Sequence, residues 1–125
     1  MDTATITYLR SGQRIISDAP PDNQGKGEAF SPTDLLSTSL ALCMITVMGI
    51  AAREKGILFA GVGARVVKHM AAAPRRVARV EVHLTISGEG LDDRERAILE
   101  NTARTCPVAL SLHPDIQQEV SFSYT

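Results

Sequence analysis

Apolar and polar residues alternate from the start of the chain. Ala4, Ile6 and Tyr8 fall on one side of residues 3–10, and Thr3, Thr5 and Thr7 on the other. A period of two predicts a half-buried β-strand. "RSGQ" then reads as a turn and "RIIS" as a second strand pairing back. The alternation dissolves in "DAPPDNQGKGEAF", whose Pro, Gly, Asp and Asn content predicts an extended loop. From residue 31 the chain reads "SPTDLLSTSLALCMITVMGIAAREKG" and is apolar on almost every side. Ser31 suits an N-cap, Pro32 the first helical position, and Asp34 the acidic member of a capping box. Arg53 and Lys55 suit the negative end of a helix and Gly56 its stop, so a helix is predicted over 32–55. A strand pattern returns over 57–70, with Ala60, Val62, Ala64 and Val66 on one side. "AAAPRR" turns the chain. Val80, Val82, Leu84 and Ile86 then alternate with Arg79, Glu81, His83 and Thr85, which places His83 on the solvent side. Asp92 and Asp93 open a second helix, on which Leu99, Ala103 and Cys106 share the buried stripe. Pro107 ends that helix or starts a short third one. Val120, Phe122 and Tyr124 make a closing strand.

The order β-β-α-β-β-α-α-β predicts an antiparallel α+β fold in one domain, residues 1–125. A helix apolar all round must be covered all round. One modest sheet and two amphipathic helices cannot do that, so an intertwined homodimer is expected. The run Leu35–Ala52 is borderline in length for a membrane span. Its Ser37, Thr38, Ser39, Thr46 and Gly49, and the amphipathic elements after it, favour a buried helix instead.

Composition narrows the function classes. The formal charge of -1 gives no electrostatic case for nucleic acid or an anionic membrane. The first residues have no charged segment followed by an apolar one, which points to the cytoplasm. "GKG" lacks the spacing of a phosphate-binding loop, and Glu28 stands where a Ser or Thr is needed. The histidines, His69, His83 and His113, are scattered and no CxxC occurs, so no metal is expected. Two cysteines remain, Cys43 and Cys106, and in a reducing compartment they are either two buried thiols or a redox pair. Cys43 lies well beyond the first turn of its helix, out of reach of the helix dipole. Cys106 stands before a candidate helix N-terminus, which makes it the more acidic thiol on local grounds.

"SPTDLLSTSLALC", the long apolar helix after it, "APRRVARVEVHLTI" and "LENTARTCPVALSL" together resemble the OsmC/Ohr family, over roughly residues 18–124. The resemblance implies an intertwined α+β homodimer with active sites at the subunit interface. It implies an enzyme that reduces organic hydroperoxides, with Cys43 as the peroxidatic and Cys106 as the resolving thiol. An external dithiol would reset the pair, and no cofactor is involved. It further implies an arginine that stabilises the Cys43 thiolate, oriented by a carboxylate at the start of the central helix. Arg10 and Arg14, flanking the first hairpin, are the candidates, with Lys26 as a substitute. Asp34 is the candidate acid, one residue nearer the cysteine than the glutamate of the best-studied branches, and it also reads as a plain helix cap. The alternative within the same fold is a redox sensor, or a protein binding a small apolar ligand at the dimer interface.

Overall fold

The chain forms strands β1 (Thr3–Thr7) and β2 (Arg14–Asp18), helix α1 (Pro32–Lys55), strands β3 (Gly61–Ala72) and β4 (Arg75–Ser87), helices α2 (Asp93–Arg104) and α3 (Pro107–Ser111), and strand β5 (Gln117–Tyr124). The computed structural model describes residues 3–125. Two compact units emerge, Met1–Leu36 and Ser37–Thr125.

In the first unit β1 and β2 pair antiparallel, from Thr3 opposite Asp18 to Thr7 opposite Arg14. Strand β1 stops at Thr7, short of the expected Arg10. The Tyr8 carbonyl accepts the Gly12 N–H at 2.7 Å, and Gly12 takes φ +78°, a left-handed conformation that glycine adopts without strain. The expected half-burial of β1 does not occur: all five residues are exposed, Ile6 among them, and so are Ile15 and Ile16 of β2. The following segment is a folded loop and not an extended one. It carries a 3-10 turn at Pro21–Asn23, and Asp18 Oδ2 accepts the Glu28 N–H at 3.2 Å. Gly25 passes so close to Ala19 that a Cβ there would lie 1.7 Å from the Ala19 carbonyl oxygen.

Helix α1 starts and stops as its end residues dictate. Asp34 N–H donates to Ser31 Oγ at 3.1 Å, and Asp34 Oδ2 accepts the Ser31 N–H at 3.0 Å, a reciprocal capping box. At the far end Gly56 takes φ +68°, and the Ile57 N–H reaches back to the Ala52 carbonyl at 2.9 Å. Its buried positions Ser37, Leu40, Ala41, Met44, Met48, Ala51 and Ala52 form one stripe. Leu42 and Ile50, equally apolar, remain 60% and 41% exposed. By length and composition α1 could cross a membrane. Its stripe instead packs into a protein core.

That core belongs to the second unit. Strands β3 and β4 form a hairpin whose tip is Ala73–Pro74, and β4 lies at the centre of the sheet, between β3 and β5. One register shift, between His69 and Met70, leaves Ala78 as the extra residue on β4. A bulge reverses the side to which alternate residues point. Val77 before it and Val80, Val82, Leu84 and Ile86 after it therefore all face the same core. There they meet Leu40, Met44 and Met48 of α1 and Leu99 and Ala103 of α2. Each such side chain contributes about 1.5–3 kcal/mol by leaving water.

One expectation fails here for a topological reason. Strand β5 pairs parallel to β4, with Arg79 opposite Gln117 and Ile86 opposite Tyr124, so the sheet is mixed and not purely antiparallel. The chain between the two strands contains α2 and α3, which carry it back to the start of β4, and a parallel pair requires a crossover of that kind.

Candidate thiol site

The second unit brings together the two cysteines that the sequence holds far apart. Cys43 lies in the middle of α1, where the helix passes over the core, and is half-buried. Cys106 lies at the N-cap of α3 and is 1% exposed. Pro107 supplies the first residue of α3, so the proline starts a new helix. The Ala109 N–H donates to Cys106 Sγ at 3.4 Å. Cys43 packs against the same core that encloses Cys106, near enough to act on its thiol. Both thiols are free.

The local expectation of an acidified Cys106 is not met. Burial pushes the Cys106 thiol above its ordinary value, and this outweighs the N–H groups of Ala109 and Val108, which act the other way. The contact with Cys43 pushes it further up. A hydrogen bond that raises a pKa stabilises the protonated form. Cys106 is therefore favoured as the neutral thiol. A site of this kind can pass from two thiols to one disulfide, provided an oxidant reaches Cys43 first.

The remaining candidates lie in the first unit or at its end. Asp34 caps α1 as described and lines a cavity of about 310 Å³ with Gly27, Glu28, Ala29 and Phe30. Arg14 is the first residue of β2, Arg10 lies in the turn before it, and Lys26 lies in the loop after it. All three are exposed.

Two groups were not legible in the sequence. Gln118 on β5 donates from Nε2 to the Ala109 carbonyl at 2.9 Å, tying α3 to the sheet. Its only signal was a polar residue in the same row as Val120, Phe122 and Tyr124. The second group joins histidines that are scattered along the chain. On the sheet face away from the core, His69 Nε2 and His83 Nε2 each contact one oxygen of Glu81, the latter at 3.3 Å. Ser121 Oγ lies 2.6 Å from His83 Nδ1, so His83 is half-buried in a polar network and not simply solvated. Arg79 donates to His69 Nδ1 at 3.3 Å, which makes Nδ1 an acceptor and puts the His69 proton on Nε2, facing Glu81. No group of three metal-ligating side chains forms among the described residues.

This network yields a pH prediction. The His69 hydrogen bond, chiefly, holds the Glu81 carboxyl below the usual carboxylate range, against a smaller opposing effect of burial. A depressed pKa contributes stability that is present above the ordinary carboxylate value and is lost as pH falls through the lower, folded value. The stability difference between the native chain and Glu81→Gln is therefore expected to close in acid, below about pH 4. Urea unfolding of both at a series of pH values measures it.

Comparison with known proteins places the arrangement. The family model described as OsmC-like protein matches residues 25–121. The crystal structure of a protein named for osmotic stress induction and detoxification response, from Psychrobacter arcticus 273-4, superposes with a TM-score of 0.90 at 57% identity, over 96% of this chain and 87% of that one. An organic hydroperoxide resistance protein OsmC from Legionella pneumophila shares the fold, with a TM-score of 0.71 at 21% identity over 98% and 97% of the two chains. The organic hydroperoxide resistance protein OhrB of Bacillus subtilis does so at 0.65 and 16%, over 97% and 96%. No curated protein matches the sequence. With most of its length inside the family model, and with a solved relative at more than half identity, the chain belongs to the OsmC-like protein family.

Proposed function

We propose that this protein is a thiol-dependent peroxidase that reduces organic hydroperoxides. The observation that carries the reading is the placement of a half-buried Cys43 beside a buried Cys106 in one core. The Cys43 thiolate attacks the distal peroxide oxygen. The O–O bond breaks, the alkoxide takes a proton and leaves as alcohol, and Cys43 becomes a sulfenic acid. Cys106 then attacks the Cys43 sulfur, its proton leaves with the hydroxyl as water, and a disulfide forms. An external dithiol returns two electrons by exchange and resets the pair. The names of the Legionella and Bacillus relatives support the substrate class.

The chain works in this reading as one domain within a cytoplasmic homodimer. Exposed Leu42 and Ile50 on α1, and exposed Ile6, Ile15 and Ile16 on the hairpin, are the surfaces a second copy would cover. Arg14 or Arg10 is the cation that favours the Cys43 thiolate, with Lys26 as a weaker substitute because an ammonium lacks the planar fork of a guanidinium. Asp34 is the carboxylate that would orient it. The use of Asp34 in the α1 cap favours a second reading, a redox sensor with the same thiol pair but slow turnover.

Thiol counting tests the reading. One equivalent of an organic hydroperoxide, added to the reduced protein in the absence of other reductant, is expected to remove both thiols and leave an intramolecular disulfide within seconds. Two thiols still titratable after that treatment would exclude it.

A further inference from the structure

A resolving thiol that is buried and largely protonated depends on placement, because little of it is thiolate at any moment. Cys106 takes its place from α3, and α3 has five residues. A helix so short does not hold itself together. Something outside it must fix its position against Cys43. The Ala109 peptide is where that fixing converges: its N–H donates to Cys106 Sγ at 3.4 Å, and its carbonyl accepts from Gln118 Nε2 at 2.9 Å. Gln118 stands on β5 opposite Val80, one of the most deeply buried residues of β4. It is the polar exception in an inward row that continues with Val120, Phe122 and Tyr124. An apolar residue would cover the core better at that point, so the amide is there for its hydrogen bond.

We propose that Gln118 is a positioning residue for disulfide formation: by anchoring the Ala109 carbonyl to the sheet it holds the Cys106 sulfur within reach of Cys43. This inference rests on the proposed thiol pair and adds the group that determines how readily it closes. The reduced protein would otherwise lose α3 to fluctuation. The oxidised protein would not, because the disulfide itself ties Cys106 to α1. Loss of the anchor therefore weakens the oxidised state relative to the reduced one in proportion to the disorder it admits.

The test is equilibration of the full-length protein in glutathione buffers. Protein dithiol plus glutathione disulfide gives protein disulfide plus two glutathione thiols, so the constant reports the effective concentration of one cysteine at the other. Gln118→Met keeps the length and removes the donor. A constant at least tenfold lower than that of the native chain is expected, a reduction potential about 30 mV higher. Urea unfolding of the reduced and oxidised forms separates the roles. A merely structural hydrogen bond would destabilise both forms equally and leave the constant unchanged, and that result would overturn the proposal. If the native chain forms no intramolecular disulfide in these buffers, the thiol pairing itself fails. If it does and Gln118→Met closes equally well, only the role of Gln118 fails. Because glutathione and not a peroxide is the oxidant, neither outcome depends on peroxidase activity.

Discussion

Cys43→Ser is expected to bring organic hydroperoxide consumption down to the uncatalysed background. A serine hydroxyl is not ionised near neutrality and cannot take the place of a thiolate at the peroxide oxygen. Cys106→Ser has a different signature. Cys43 should still be oxidised once, at close to the native rate, and then stall as a sulfenic acid that a dimedone adduct traps and mass spectrometry locates. The asymmetry follows from burial: Cys106 is enclosed in the core, and Cys43 is half-buried. Steady-state assays of both variants with an organic hydroperoxide and an external dithiol measure it. A Cys43→Ser protein with native turnover would remove the proposed mechanism. A Cys106→Ser protein that cycles freely would reassign the resolving role to the external dithiol.

The second large effect is expected at Gly49. A glycine inside a helix costs about 1 kcal/mol relative to alanine. Among the described residues nothing explains it, because a Cβ at position 49 would meet none of their atoms within 4 Å. Gly49 is exposed, as are its neighbours on the same side of α1, Leu42, Thr46 and Ile50. An exposed strip of Leu42, Thr46 and Ile50 with a gap at Gly49 suits the close crossing of a second helix. Gly49→Leu should fill that gap and shift the proposed dimer to monomer at micromolar concentration. Gly49→Ala, in contrast, should leave the isolated chain as stable or slightly more so. Sedimentation velocity of the native and substituted proteins decides it. A dimer that persists in Gly49→Leu would mean that α1 does not form the crossing.

Much of the fold was legible because its signals are local. The bounds of α1 follow from Ser31, Pro32, Asp34 and Gly56, each of which acts on backbone groups within one turn. The β4 row Val80, Val82, Leu84 and Ile86 follows from a period of two, and the start of α2 from Asp92, which pairs with Glu95 in a second capping box. The errors lie where distant segments decide. The parallel pairing of β5 depends on where α2 and α3 return the chain, and residues 117–124 read the same in either direction. Burial of β1 depends on what covers its apolar side, which no period reports.

The candidate site divides along the same line. That Cys43 and Cys106 are the residues to examine was determined by the sequence alone, through their two flanking segments. The helix cap at Cys106 was also legible from Pro107, and taken by itself it pointed to an acidified Cys106. Only the tertiary structure decided against that. Two nearby N–H groups favour a thiolate at Cys106, but the surrounding core withdraws water from it and the neighbouring Cys43 adds to that effect. The first effect needs only residues 106–109 and can be read along the chain. The second needs Cys106 enclosed within the core of the second unit, against Cys43, and exists only when that unit is folded.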